Sequence, residues 1–263
     1  MTPWDELQAE LDLWQQAGRR ARLWWRDDDA TRPGPALDRL IALAAAHGAP
    51  LALAVVPAPC EAALAERLQA AEGVSVLQHG FAHKNHEAAD RKKCELGPAR
   101  PPAAVLEELA AGRQRLTRLF GARSLPVLVP PWNRIDAALV AALPGLGFRG
   151  LSTYTPRAAA RPAPGLLQVN CHVDPIRWKP ARSFLGVAES LAPLCRHLAE
   201  KRQGRADPAE PSGLMTHHAV HDAALWGFLE DLLTRLSRHP AAAFVSAAEA
   251  FDLDPDRDVP LSA

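Results

Sequence analysis

The chain has 263 residues, 48% of them hydrophobic, with 30 lysines and arginines set against 30 acids, so its formal net charge is zero. That balance offers no electrostatic footprint for nucleic acid or an anionic membrane, and it points to a neutral small molecule or a carbohydrate as the partner. The length suits one large α/β unit, and a single domain over residues 1–263 is expected because no shift in composition marks a second.

The opening M-T-P-W-D-E-L has acids where an export signal carries bases, and no later stretch reaches the roughly 18 apolar residues of a membrane span. A soluble, cytoplasmic protein is the expectation. Cys60, Cys94, Cys171 and Cys195 are too scattered for a Cys-x-x-Cys metal site and read as ordinary thiols in a reducing compartment.

In chain order, Trp4, Leu7, Leu11 and Trp14 recur at helical spacing, which predicts an amphipathic helix over residues 3–18 packed on the body of the protein. Residues 22–27 read as a strand running into Asp27, Asp28 and Asp29. After the break at Pro33-Gly34, Leu37, Leu40, Ile41 and Ala44 predict a helix stopped at His47-Gly48, with His47 as a cap. Residues 50–57 read as a buried strand between prolines, 61–71 as a helix, and 74–78 as a strand delivering His79. The polar stretch 83–102 exceeds a simple connection and reads as a functional loop or lid, or as a solvated charge run.

A helix over 103–119 precedes a strand over 125–129 that ends on Pro130, Pro131 and Trp132, a rigid wall suited to holding a backbone N–H in place. A helix is expected over 135–143, a strand over 150–154 and a proline- and alanine-rich link over 156–165. L-L-Q-V-N-C-H-V-D then places His172 and Asp174 at a strand end, before a helix from about 184 to 201. The run G-L-M-T-H-H-A-V-H-D ends a strand in His217 and His218 and opens, at His221 and Asp222, an amphipathic helix to His239. A short strand and helix close the chain. This alternation predicts parallel βαβ units with the chemistry at the carboxyl ends of the strands.

The informative stretch is V-L-Q-H-G-F-A-H-K-N-H. If it turns helically, His79 and His83 lie one above the other and can reach a shared cation at about 2.0–2.1 Å, with His86 a third imidazole nearby. Two imidazoles need a third, anionic ligand, and Asp27, Asp28 and Asp29 supply the candidates. A divalent ion would relieve their repulsion by taking one carboxylate and leave a neighbour free as a base. The plainer alternatives are a solvated turn for the acids and satisfied histidines for the pair.

The order D-D, then H-x-x-x-H, then a proline-rich strand end, then a late strand ending in His resembles the polysaccharide deacetylase (NodB-homology, carbohydrate esterase family 4-like) superfamily over residues 22–250. The resemblance implies a distorted (β/α) barrel of about seven parallel strands and a metal-dependent hydrolase that removes an acyl group, acetyl by preference, from an N-acylated sugar or related small molecule. It implies Asp28 as the base and Asp29, His79 and His83 as ligands of a divalent metal, Zn²⁺ by donor type; Asp27 as base with Asp28 as ligand is the other register. L-M-T-H makes His217 the general acid, with His218 beside it, and the N–H of Trp132 would donate to an oxyanion. Where the family has R-x-P-Y-G this chain has V-P-P-W-N, so the arginine that contacts the catalytic Asp is missing from its usual place; Asp174 and Trp178 are the candidates for the fourth motif. These departures suggest a divergent intracellular branch. Trp25, Trp132, Trp178 and Trp226 are possible platforms for a sugar ring, of which Trp132 alone is assigned a role. A metal-dependent amidase acting on a non-sugar amide and a non-catalytic carbohydrate-binding domain are the alternatives.

Overall fold

The computed structural model describes residues 1–253; residues 254–263 of the expected domain lie outside them. The chain opens with α1 (Pro3–Gln16), whose first turn is closed by Thr2 and Asp5 exchanging side-chain and backbone hydrogen bonds at 2.7 and 3.2 Å. It continues through β1 (Ala21–Ala30), α2 (Pro35–Ala46), β2 (Leu51–Val55), α3 (Ala62–Leu68), β3 (Val74–His79), α4 (Pro102–Phe120) and β4 (Ser124–Val129). After these come α5 (Ala137–Val140), β5 (Gly150–Leu151), β6 (Leu167–Gln168), the antiparallel pair β7 (Ile176–Arg177) and β8 (Ser183–Phe184), α6 (Val187–Arg202), β9 (Ser212–Thr216), α7 (Ala223–Arg238), β10 (Ala242–Phe244) and α8 (Ala247–Ala250).

The strands of the main sheet are parallel. Neighbours run β1 to β6 in chain order, β9 pairs with Leu23–Asp27 of β1, and β10 with its first three residues. Beyond β6 the chain returns to β9 by a bridge between Val173 and Leu214. The sheet thereby curls into the expected distorted (β/α) barrel.

Alternation along each strand divides the core in two. Leu23, Trp25, Leu51, Leu53, Val74 and Val76 face the outer helices, where α1 delivers Leu7, Leu11 and Trp14. Trp24, Ala52, Ala54, Leu77, Val127, Val129 and Met215 fill the interior. Two expected elements differ. The helix over 135–143 shrinks to the four residues of α5, because Pro144, Gly145 and Gly147 favour a tight turn at Leu143–Leu146. The helix at 184–201 starts three residues later, since Phe184 belongs to the β7–β8 pair.

Candidate metal centre and its cleft

The three adjacent aspartates point three ways. Asp27 shares the outer face of Trp25 and is fully buried: its oxygens accept from Thr216 Oγ1 at 2.7 Å, the His218 backbone N–H at 2.9 Å and His218 Nδ1 at 2.5 Å. Asp28 shares the interior face of Trp24 and Arg26. There Arg26 grips it with both arms of the guanidinium, Nε to Oδ1 at 2.8 Å and Nη2 to Oδ2 at 2.9 Å. Arg26 is itself fully buried and also donates to Ser152 Oγ and Asn133 Oδ1 at 2.7 and 2.8 Å. Asp29 breaks the alternation. Its φ of +72° sits in an irregularity of the β1–β2 register between Asp27 and Ala30, which swings its carboxylate toward the third strand.

There it meets the histidine pair: Asp29 Oδ1 lies 3.2 Å from His79 Nε2 and 3.3 Å from His83 Nε2. The convergence does not come from the helical turn that the spacing suggested. His79 ends β3, and left-handed residues at Gly80 and His83 (φ +55° and +54°) fold the segment back. Glu95, fully buried, fastens this bend by accepting from the N–H groups of Phe81, Ala82 and Lys84 at 3.1, 2.8 and 3.3 Å. A Cβ on Gly80 would collide with Glu95 Oε2 and stand 2.6 Å from the Pro131 ring. Gly80→Ala is therefore expected to cost about 1–3 kcal/mol of stability, a melting temperature lower by several degrees, and to weaken metal binding in a zinc titration. His86 takes no part in the cleft.

The donor set fits a divalent cation. His79 Nδ1 lies 2.9 Å from the Val129 carbonyl, which can only accept, so Nδ1 carries a proton and Nε2 is the ring nitrogen left to face Asp29 and His83. Asp29 Oδ1 is buried with no hydrogen-bond donor, the condition of a ligand atom awaiting an ion. Burial opposes ionisation of Asp29, yet His79, His217 and His83 hold its carboxyl below the usual range. Burial, with His79 beside it, pushes His83 down and keeps it neutral. A second convergence, of His172, His197 and Glu210, lies in the core. There the Gly213 N–H donates to His172 Nδ1 at 2.9 Å, so Nε2 must bear the proton and has no lone pair for a metal.

Asp28, Asp29, His79, His83, Trp132 and His217 all line one cavity of about 960 Å³, along with Asp174 and Trp178. The Trp132 ring, carried on a left-handed backbone after Pro131, packs on His83 with centroids 4.4 Å apart. His217 meets the edge of Trp178 at 4.7 Å, and Trp178 Nε1 donates to Asp174 Oδ2 at 2.7 Å. Burial pushes Asp174 up, against the pull of His217 and the Trp178 bond. His218 turns away to Asp27. Trp25 and Trp226 are buried in the outer core and are no platforms.

The Asp27–His218 pair titrates as a unit. Burial works against both charges, but each partner lowers Asp27 and raises His218 from their ordinary values. The stability due to the depressed Asp27 is present above about pH 4 and falls away in acid; that due to the raised His218 is complete below about 6.5 and lost as pH climbs beyond its folded value. The stability difference between the wild type and His218→Gln, from urea unfolding, should thus be greatest between about pH 4 and 6.5 and shrink above.

Against solved structures, the chain aligns over 94% of its length with 94% of a protein from Mycobacterium smegmatis assigned to the polysaccharide deacetylases, at 12% identity and a TM-score of 0.63. It aligns over 85% with 91% of a family 4 carbohydrate esterase from Streptomyces lividans in complex with acetate, at 14% identity and a TM-score of 0.53. A family 4 acetyl xylan esterase from Clostridium thermocellum with a cobalt ion aligns over 88% of this chain and 91% of its own, at 12% identity and 0.50. This chain has the NodB-type deacetylase fold. No family model and no curated protein matches the sequence. Where the resemblance led one to look for an arginine near V-P-P-W-N, the structure has Arg26 gripping Asp28 from two residues away on the same strand. The alternation of W-R-D-D places positions 26 and 28 on one face, so this contact was open to sequence reasoning that looked for the arginine upstream. Glu95 left no such signal. No described helix is long and apolar enough to cross a membrane.

Proposed function

We propose that the protein is a metal-dependent deacylase that hydrolyses the N-acyl group, acetyl by preference, of a sugar or related small molecule. The observation that carries this reading is the approach of Asp29 Oδ1 to His79 and His83 Nε2 at 3.2 and 3.3 Å, beside an arginine-clamped Asp28 in a cleft that His217 also lines. Asp29, His79 and His83 would hold a divalent ion, zinc by its two nitrogens and one oxygen. When bound it supplies the charge that acidifies a water and polarises an acyl carbonyl.

The remaining steps fall to side chains. Arg26 occupies one lone pair on each oxygen of Asp28, fixing the carboxylate while leaving its other lone pairs free to take a proton from the attacking water. The Trp132 N–H donates to the oxygen that gains charge, an interaction worth ~2.7–4 kcal/mol where such donors have been removed. His217 gives its proton to the departing nitrogen as the C–N bond breaks. Acids in the cleft and a wall of Trp132 and Trp178 suit a sugar ring with its acyl group innermost.

Acetate release from N-acetylglucosamine and its oligomers by the zinc-loaded protein tests the reading. Activity should vanish on dialysis against a chelator and return with zinc or cobalt. Protein that binds zinc yet releases no acid from any N- or O-acyl compound in the screen would leave a non-catalytic domain as the better account.

A further inference from the structure

Zero net charge hides a basic mouth. Arg91, Lys92 and Lys93 from the loop after His83, Arg134 from the turn after β4, and Lys179 and Arg182 from the β7–β8 hairpin all line the cleft. All are exposed except the half-buried Arg134. Four carboxylates line the same cavity, but Asp28 is paired with Arg26, Asp174 accepts from the Trp178 indole, and Asp29 faces the two imidazoles as the proposed ligand of the ion. That leaves Asp90. Arg91 approaches Glu87 at 3.8 Å, and among the described residues no carboxylate pairs with Lys92, Lys93, Lys179 or Arg182.

An ordinary solvated surface mixes both signs, whereas here three separate segments bring one sign to one opening. The cations are also placed. Arg134 Nη1 donates to the Lys93 carbonyl at 2.8 Å, tying the loop to the turn, and the Arg182 guanidinium stands 5.7 Å from the centre of the Trp178 ring. A ring stacked on Trp178 would have Arg182 and Lys179 within reach of its substituents.

Resting on the deacylase reading, we propose that the substrate is anionic: an acylated sugar bearing a phosphate or carboxylate, which these cations hold while the acyl group lies at Asp29. This departs from the neutral partner that net charge suggests, because net charge averages over the surface and a cleft concentrates its own field.

Three probes share one ring and one acetamide: N-acetylglucosamine, its 6-phosphate and N-acetylmuramic acid. Their dissociation constants would be measured by calorimetry on zinc-loaded Asp28→Asn protein and, in parallel, on wild type stripped of metal, neither of which turns over. At least one anionic probe should bind about tenfold tighter than the neutral one, and the gap should close as salt rises from about 0.05 to 0.5 M. Whether phosphate or carboxylate is favoured identifies the source of the charge. In the K92Q/K93Q/K179Q/R182Q protein, checked for melting temperature and zinc content, the gap should fall to within about twofold. Equal binding of the three, no binding of any, or a gap indifferent to salt and to the substitutions overturns the proposal. Absence of acetate release by the wild type would instead count against the deacylase reading alone.

Discussion

Asp29→Ala and His83→Ala proteins are expected to hold zinc at least about 100-fold more weakly than the wild type, while Asp28→Asn keeps a full equivalent and loses about 10²–10⁴ in kcat. The contrast follows from where the side chains point. Asp29 Oδ1 faces both Nε2 atoms at 3.2 and 3.3 Å, so removing it, or His83, takes away one of the three proposed ligands. Asp28 faces Arg26, and the amide in its place cannot accept a proton from water although it fills the same space. Metal content by mass spectrometry beside acetate release separates the two outcomes. Retention of zinc and activity by Asp29→Ala would remove the basis of the site.

The second large effect is expected at Arg26. Arg26→Met strands Asp28, 2% exposed, without the cation that balances it, and breaking a buried pair on one side costs about 3–5 kcal/mol. At roughly 2–4 °C per kcal/mol for a chain of this size, the melting temperature should fall by about 10 °C. Arg26→Lys keeps the charge but not the fork, and should recover part of the stability and less of the turnover. If Arg26 acts through Asp28, its loss in kcat, about 10²-fold, should not add to that of Asp28→Asn in the double variant. Full additivity would mean that Arg26 contributes to the reaction by another route.

Much of this architecture was legible because β strands and amphipathic helices alternate with clean punctuation, as at L-A-L-A-V between prolines or at Leu225, Leu229, Leu232 and Leu236 of α7. The aspartates and His79 were found for the same reason: they follow apolar runs. What stayed hidden depends on tertiary closure. The polar stretch 83–102 read as a lid or solvated run, yet its Glu95 is fully buried, and nothing in K-K-C-E-L distinguishes that carboxylate until the three amides it caps are in place. The β7–β8 pair of two residues each is shorter than any periodicity can register. Strand β5 covers two of the five residues expected, because beyond it the pairing continues only as an isolated bridge between Tyr154 and Cys171.

Arg26 and Asp28 are neighbours but one on a single strand, so the separation between guanidinium and carboxylate is set by bond lengths and the pleat and owes nothing to docking of a distant loop. In a protein that brings the guanidinium from another segment, every shift of that segment detunes the carboxylate. Here the turn at Pro130–Asn133 reaches the guanidinium only through Asn133 Oδ1, and both bonds that grip the Asp28 carboxylate lie within one strand.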